Sequence, residues 1–151
     1  MSAEGAYIEA DHLLAALTAD DLVRLTDDAG TGQRDDAVLD AVIARAEGEL
    51  NSYVARRHTV PLDLTANDEM AEAVRGKCID LAAYYLRCRR PGMPQELRDR
   101  YLDAVRWLRD VAAGKVTLGG VPEPPASGLG GTHVAHGGET RQMTRDNMQG
   151  L

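Results

Sequence analysis

An all-α fold is predicted by three features of this sequence. Apolar residues recur at three- and four-residue steps, aromatic residues are scarce, and Pro or Gly closes each of the three long periodic stretches. Aromatic residues make up 4% of the chain and Phe is absent. The core must therefore come from Leu, Val, Ile and Ala, helped by Tyr53, Tyr84, Tyr85, Tyr101 and Trp107. Such a palette suits closely packed helices better than a β-sandwich, whose strands favour β-branched and aromatic residues. At 151 residues the chain is the size of one domain with a modest core. The expected architecture is a small bundle of about four to five helices with a long extended C-terminal tail. The body covers residues 1–118 and the tail residues 119–151.

The first helical signal runs from Glu9 to Leu17, with Leu13, Leu14 and Leu17 on one side. Thr18 then reads as an N-cap, and Asp21 three residues on imitates a capping box before Leu22, Val23 and Leu25. Thr26 to Gly32 is a turn rich in residues that tolerate left-handed backbone. The clearest helix spans Asp36 to Arg57. Leu39, Val42, Ile43, Ala46, Leu50, Tyr53 and Val54 form its apolar stripe, and Asp40, Arg45, Glu47 and Glu49 fill the other face. The run His58 to Leu62 ends it, since Pro61 disfavours a helical residue before it. A second long helix covers Asn67 to Cys88 and is apolar almost all round between Cys78 and Leu86, as befits a central helix. Pro91-Gly92-Met93-Pro94 turns the chain. The last helix runs from Gln95 to Ala113 with Gly114 as its C′ stop and Trp107 at the edge of its stripe.

Beyond Leu118 the composition changes. Glycines abound, Pro122, Pro124 and Pro125 cluster, and only scattered apolar residues remain. Such a segment cannot bury enough surface to offset its ordering entropy, so it is expected to order only on a partner. Val121, Pro122, Pro124, Pro125, Leu129, Val134, Met143, Met148 and Leu151 are its candidate partner-binding residues.

Formal net charge is -7, which argues against a general nucleic-acid binder. The charge is uneven. Residues 1–40 hold ten acids against Arg24 and Arg34, and residues 41–118 hold thirteen bases against eleven acids. That asymmetry suits subunits that stack head-to-tail or steer a partner, and equally suits solvated helix faces of mixed sign. No run of about 18 apolar residues is present and no basic-then-apolar leader opens the chain, so neither a membrane span nor a secretory signal is expected. Cys78 and Cys88 lie too far apart on one helix to pair, and read as reduced thiols of a cytosolic protein.

No catalytic set, metal site or cofactor motif emerges. An EF-hand beginning at Asp27 fails at Ala29 and Val38. His12 and His58 stand alone, and His133 and His136 lack ligands at metal spacing. Gly128-Leu129-Gly130-Gly131 neither follows a strand nor opens a helix. An enzyme would need His12 or His58 beside carboxylates in one cleft. Arg87, Arg89 and Arg90 at a helix end are exposed charge, or a contact for a protein partner or for phosphate. Trp107, flanked by Arg106 and Arg109, is core edge first and interface anchor second.

Three stretches together resemble the small head–tail connector proteins of Mu-like phages and prophages. They are Leu25-Thr26-Asp27 with its Gly-rich turn, the run from Ala46 to Arg57 leading into Val60-Pro61-Leu62, and Arg100 to Asp110 ending in Gly114-Lys115-Val116. The resemblance covers roughly residues 7–118 in order, and the long tail departs from it. It implies a structural virion protein, not an enzyme, forming a homo-oligomeric ring in the virion neck after assembly in the host cytoplasm, with twelve-fold symmetry expected. Its implied partners are copies of itself, the portal protein and a tail or stopper protein, with packaged DNA passing through unread. The alternative is an acidic cytosolic DNA-binding or regulatory protein acting through Arg87, Arg89 and Arg90.

Overall fold

The computed structural model describes residues 5–124. A 3₁₀ helix, Ala10–Ala15, leads into α1 (Ala19–Thr26), α2 (Asp36–Val54), α3 (Asp68–Arg87) and α4 (Gln95–Ala112). There is no strand among the described residues, so the fold is all-α as the sequence predicts. No helix among them is long and apolar enough to cross a membrane.

Helices α2, α3 and α4 pack pairwise into a triangular core, and α3 also carries the 3₁₀ helix and α1. Its predicted apolar middle explains that central place: Cys78, Ile79, Leu81, Ala82, Ala83 and Leu86 are all buried. Burial pushes the Cys78 thiol up to about 12, so it stays protonated.

Helix ends follow their capping chemistry. Thr18 Oγ1 accepts from Asp21 N at 3.1 Å. Asp35 accepts from Ala37 N at 2.9 Å and Asn67 from Met70 N at 3.0 Å. Gly114 has φ +74, and the N–H groups of Gly114 and Lys115 reach back to Val111 O and Asp110 O, both at 2.9 Å. This is a Schellman stop. A Cβ at Gly114 would also run into the Arg57 guanidinium, so two constraints demand glycine there.

Two expectations are corrected. Glu9–Leu17 is not one amphipathic α-helix but a six-residue 3₁₀ helix closed by Glu9 and His12, whose Nδ1 accepts from Glu9 N at 2.9 Å. At about three residues per turn, neighbouring leucines diverge. Leu13 is buried, and Leu14 is 49% exposed. The second correction concerns α2, whose Glu47 and Glu49 are not a solvated face. Glu47 Oε1 accepts from Tyr7 N at 2.8 Å and from Ile8 N at 3.3 Å, pinning the N-terminal segment along α2.

Tyr7 itself is buried. Its hydroxyl donates to Asn51 Oδ1 at 2.6 Å and accepts from Leu62 N at 2.8 Å, tying α2 to the corner beyond its C-terminal end. Removing that hydroxyl strands the buried Leu62 amide. We predict that Tyr7→Phe lowers unfolding free energy by about 1–3 kcal/mol. Urea unfolding followed by circular dichroism should show the midpoint fall with little change in slope. An unchanged midpoint would show the hydroxyl bridge to be dispensable.

Candidate interaction surfaces

The α1–α2 loop is built around side-chain oxygens. Thr26, fully buried, donates to Leu22 O at 2.7 Å and accepts from Asp35 N at 3.0 Å, closing the loop across its base. Asp27 accepts from Thr31 N at 2.8 Å and Gly32 N at 2.7 Å, which holds its carboxyl below the usual carboxylate range. Asp28 faces the end of α3. It pairs with Arg89 and, at 2.7 Å, with Arg90, and those two guanidiniums likewise hold its carboxyl low. Arg89 Nε also donates to Leu25 O at 3.1 Å, in the last turn of α1. The two arginines thus sit on the negative end of α1 as well as at their own helix end.

The predicted arginine group is therefore divided. Arg89 and Arg90 belong to a clamp between α1 and α3. Arg87 donates to Gly92 O at 3.0 Å and lines a separate cleft with Leu17, Asp21, Arg24, Leu97 and Arg100.

A tyrosine cluster joins the three long helices. Tyr84 and Tyr101 stack with centroids 4.0 Å apart, and Tyr85 meets both edge-on. Glu49 of α2 accepts from the Tyr85 hydroxyl and, at 3.3 Å, from the Tyr101 hydroxyl. Arg45 lies over the Tyr85 ring, 4.0 Å from its centroid. Arg100 donates to Asp80 at 2.9 Å, bracing α4 on α3. Burial nevertheless raises the Asp80 pKa, the desolvation outweighing the pull of Arg100.

Residues 118–124 form a strap across the exit of α2. Leu118 and Val121 are buried in the chain's own core, and Val121 N donates to Leu118 O at 3.0 Å. Arg57 grips Glu123 through both carboxylate oxygens, each at 3.2 Å, and so holds its carboxyl low. His58, also buried, brings Nδ1 within 3.3 Å of Pro122 O, with Nε2 3.9 Å from Glu123. Residues 119–124, read from sequence as the start of the tail, thus lie against the body. Pro124 is exposed at the last described position, and Trp107 is half-buried on the core. Pro125, Leu129, Val134, Met143, Met148 and Leu151 lie outside the described residues.

Near the same end of α2, Arg56 and Arg109 line a shallow concavity with Ser52, Tyr53, Ala112 and Ala113. Among the described residues neither guanidinium has an ion-pair or hydrogen-bond partner.

With this geometry in place, comparison with known proteins is decisive for lineage. The family described as Bacteriophage Mu, Gp36 matches residues 7–135. The chain belongs to that family. Inside the Gp36 match lie the five helices of the described residues and the whole strap, and its first residue is Tyr7. The chain is also similar to "Gene product J" of Escherichia phage Mu, with 32% identity over 88 residues. That alignment covers 58% of this chain and 57% of the phage Mu protein, so it spans little more than half of either.

Sequence reasoning passed over the residues that anchor this Gp36-family body: Tyr7, Asp28, Glu49, Arg57 and Glu123. A tyrosine outside every periodic stretch, and an acid between two prolines, were the available signals.

Acid should weaken the loop clamp. Asp27 and Asp28 bind protons less readily folded than unfolded. Their stabilisation is therefore complete above the ordinary value of 3.8 and is lost as pH falls through their lower folded values. Both groups are exposed, so salt shrinks the effect. Thermal melts between about pH 5 and about pH 2 should show Asp28→Asn with a lower plateau and a flatter acid limb than the parent. Identical limbs would remove Asp28 from this role.

The strap offers a second check. Glu123→Ala should speed amide exchange at Val121 in hydrogen–deuterium exchange while leaving α3 protected. Unchanged exchange at Val121 would show that apolar burial alone holds the strap.

Proposed function

We propose that this Gp36-family protein is a head–tail connector subunit, forming a ring between the portal and the tail of a Mu-like phage. Membership of the Gp36 family over residues 7–135 carries the reading. The body supports it by being cross-tied: the Asp28 clamp, the Glu49–tyrosine cluster and the Arg57–Glu123 grip each join separate elements. Such a body suits a part whose work is to keep its shape between two larger assemblies. The strap seats Pro122 and Glu123 beside His58 and Arg57, immediately before residues 125–151 in sequence. In this reading those residues dock on the portal or a neighbouring subunit, and the mechanism is additive contact around a closed ring, with twelve-fold symmetry expected. Packaged DNA passes through without being read, and no catalytic step is involved.

The DNA-binding alternative loses support, because Arg89 and Arg90 already answer Asp28.

Native mass spectrometry tests the proposal on the full chain and on residues 1–124, alone and with the portal ring of the same phage. Truncation at 124 keeps the strap in place. The full chain should form a defined multi-copy complex with the portal, and the shortened chain a weaker one. A chain that ignores the portal overturns the connector reading.

A further inference from the structure

The outer face of α4 and the exit of α2 make a surface that the connector reading leaves unassigned. Leu102, Arg106, Arg109 and Ala113 recur at four- and three-residue steps, so they share one face of α4. Leu102 is 49% exposed, one of the two large apolar side chains most open to solvent. Beside this face, Arg109 and Arg56 line the concavity floored by Tyr53 and Ala112, with every guanidinium donor unused among the described residues. The neighbouring acids are engaged elsewhere, Asp103 with Arg106 and Asp110 with Lys115. Arg and Tyr are residue types that protein interfaces enrich.

The opposite charge sits at the far end of α2. The loop from Asp27 to Asp36 holds four aspartates against Arg34, which pairs with Asp36, and against Arg89 and Arg90, which reach it from α3 at Asp28. This end thus keeps a small acidic excess that one acid-to-base change reverses. Helix α2 runs from Asp36 to Val54, which at the usual rise separates the two ends by about 27 Å. One molecule cannot close that contact on itself. A second copy can, because each carries one acidic and one basic end.

We propose that the Arg56–Arg109 concavity receives the acidic α1–α2 loop of a second copy of this chain. The contact is head-to-tail: different patches meet, and repetition either closes a ring or extends a filament. This rests on the connector reading and names the charged contact between its subunits.

A charge-swap experiment tests it on the full-length chain. One variant carries Arg56→Glu and Arg109→Glu, the other Asp36→Lys, and matched thermal melts check that both are folded. Should the double reversal fail to fold, Arg56→Gln with Arg109→Gln takes its place, and its assembly should weaken. Under conditions where the parent assembles with the portal ring, native mass should find each reversed variant unassembled. An equimolar mixture of the two should assemble again, since each reversed end then meets its complement.

A reversed arginine variant that assembles like the parent overturns this inference and leaves the connector reading standing. A mixture that stays unassembled overturns the pairing of these two ends. A parent chain that assembles under no condition removes the connector reading itself, and this contact with it.

Discussion

The polar side of α2 is the constraint on which the rest of this fold depends. A core without Phe is built from aliphatic side chains and small residues, which pack closely but pin orientation weakly. Orientation comes from three α2 side chains that apolar packing alone would have left to water. Glu47 holds the N-terminal segment, Glu49 gathers Tyr85 and Tyr101 from the other two long helices, and Asn51 anchors Tyr7. Tyr7 in turn holds the Leu62 corner that redirects the chain into α3. Each tie satisfies a donor that would otherwise be costly to bury.

Charge in this protein works mostly inside the subunit. The acids of the first forty residues are answered in part by arginines more than sixty positions away, as Asp28 is by Arg89 and Arg90. Those arginines also cover the open carbonyl end of α1, so one clamp serves a loop, a helix end and an interhelix joint. The arginines near the end of α2 divide differently. Arg57 closes the strap, and Arg56 remains uncommitted beside Arg109. Two adjacent residues of one type thus separate into an internal fastening and a surface group, decided by which way each leaves the helix.

The strap joins the helical body to the C-terminal residues of the chain. Its contacts are a buried Val121, a two-oxygen ion pair and a histidine against a carbonyl, all at one helix exit. A segment held this way fixes the position of residues 118–124 on the body.

The sequence by itself determined the helices, their order and most of their ends. Periodicity marks α2, α3 and α4, and the caps at Thr18, Asp35, Asn67 and Gly114 are local chemistry between residues a few positions apart. The central place of α3 was also legible, since a helix apolar on all sides has nowhere else to go. Tertiary structure alone decided the polar ties. Glu47 and Glu49 look like solvated residues in a helical pattern, because periodicity reports which face is apolar and not what covers the polar one. Tyr7 with Leu62, Asp28 with Arg89, and Arg57 with Glu123 are joined across more than fifty residues, and no local rule connects such positions. The short 3₁₀ helix belongs to the same class. Its leucines fit an α-helical stripe on paper, and its six-residue length, set between the pinned N-terminal segment and α1, turned Leu14 outward.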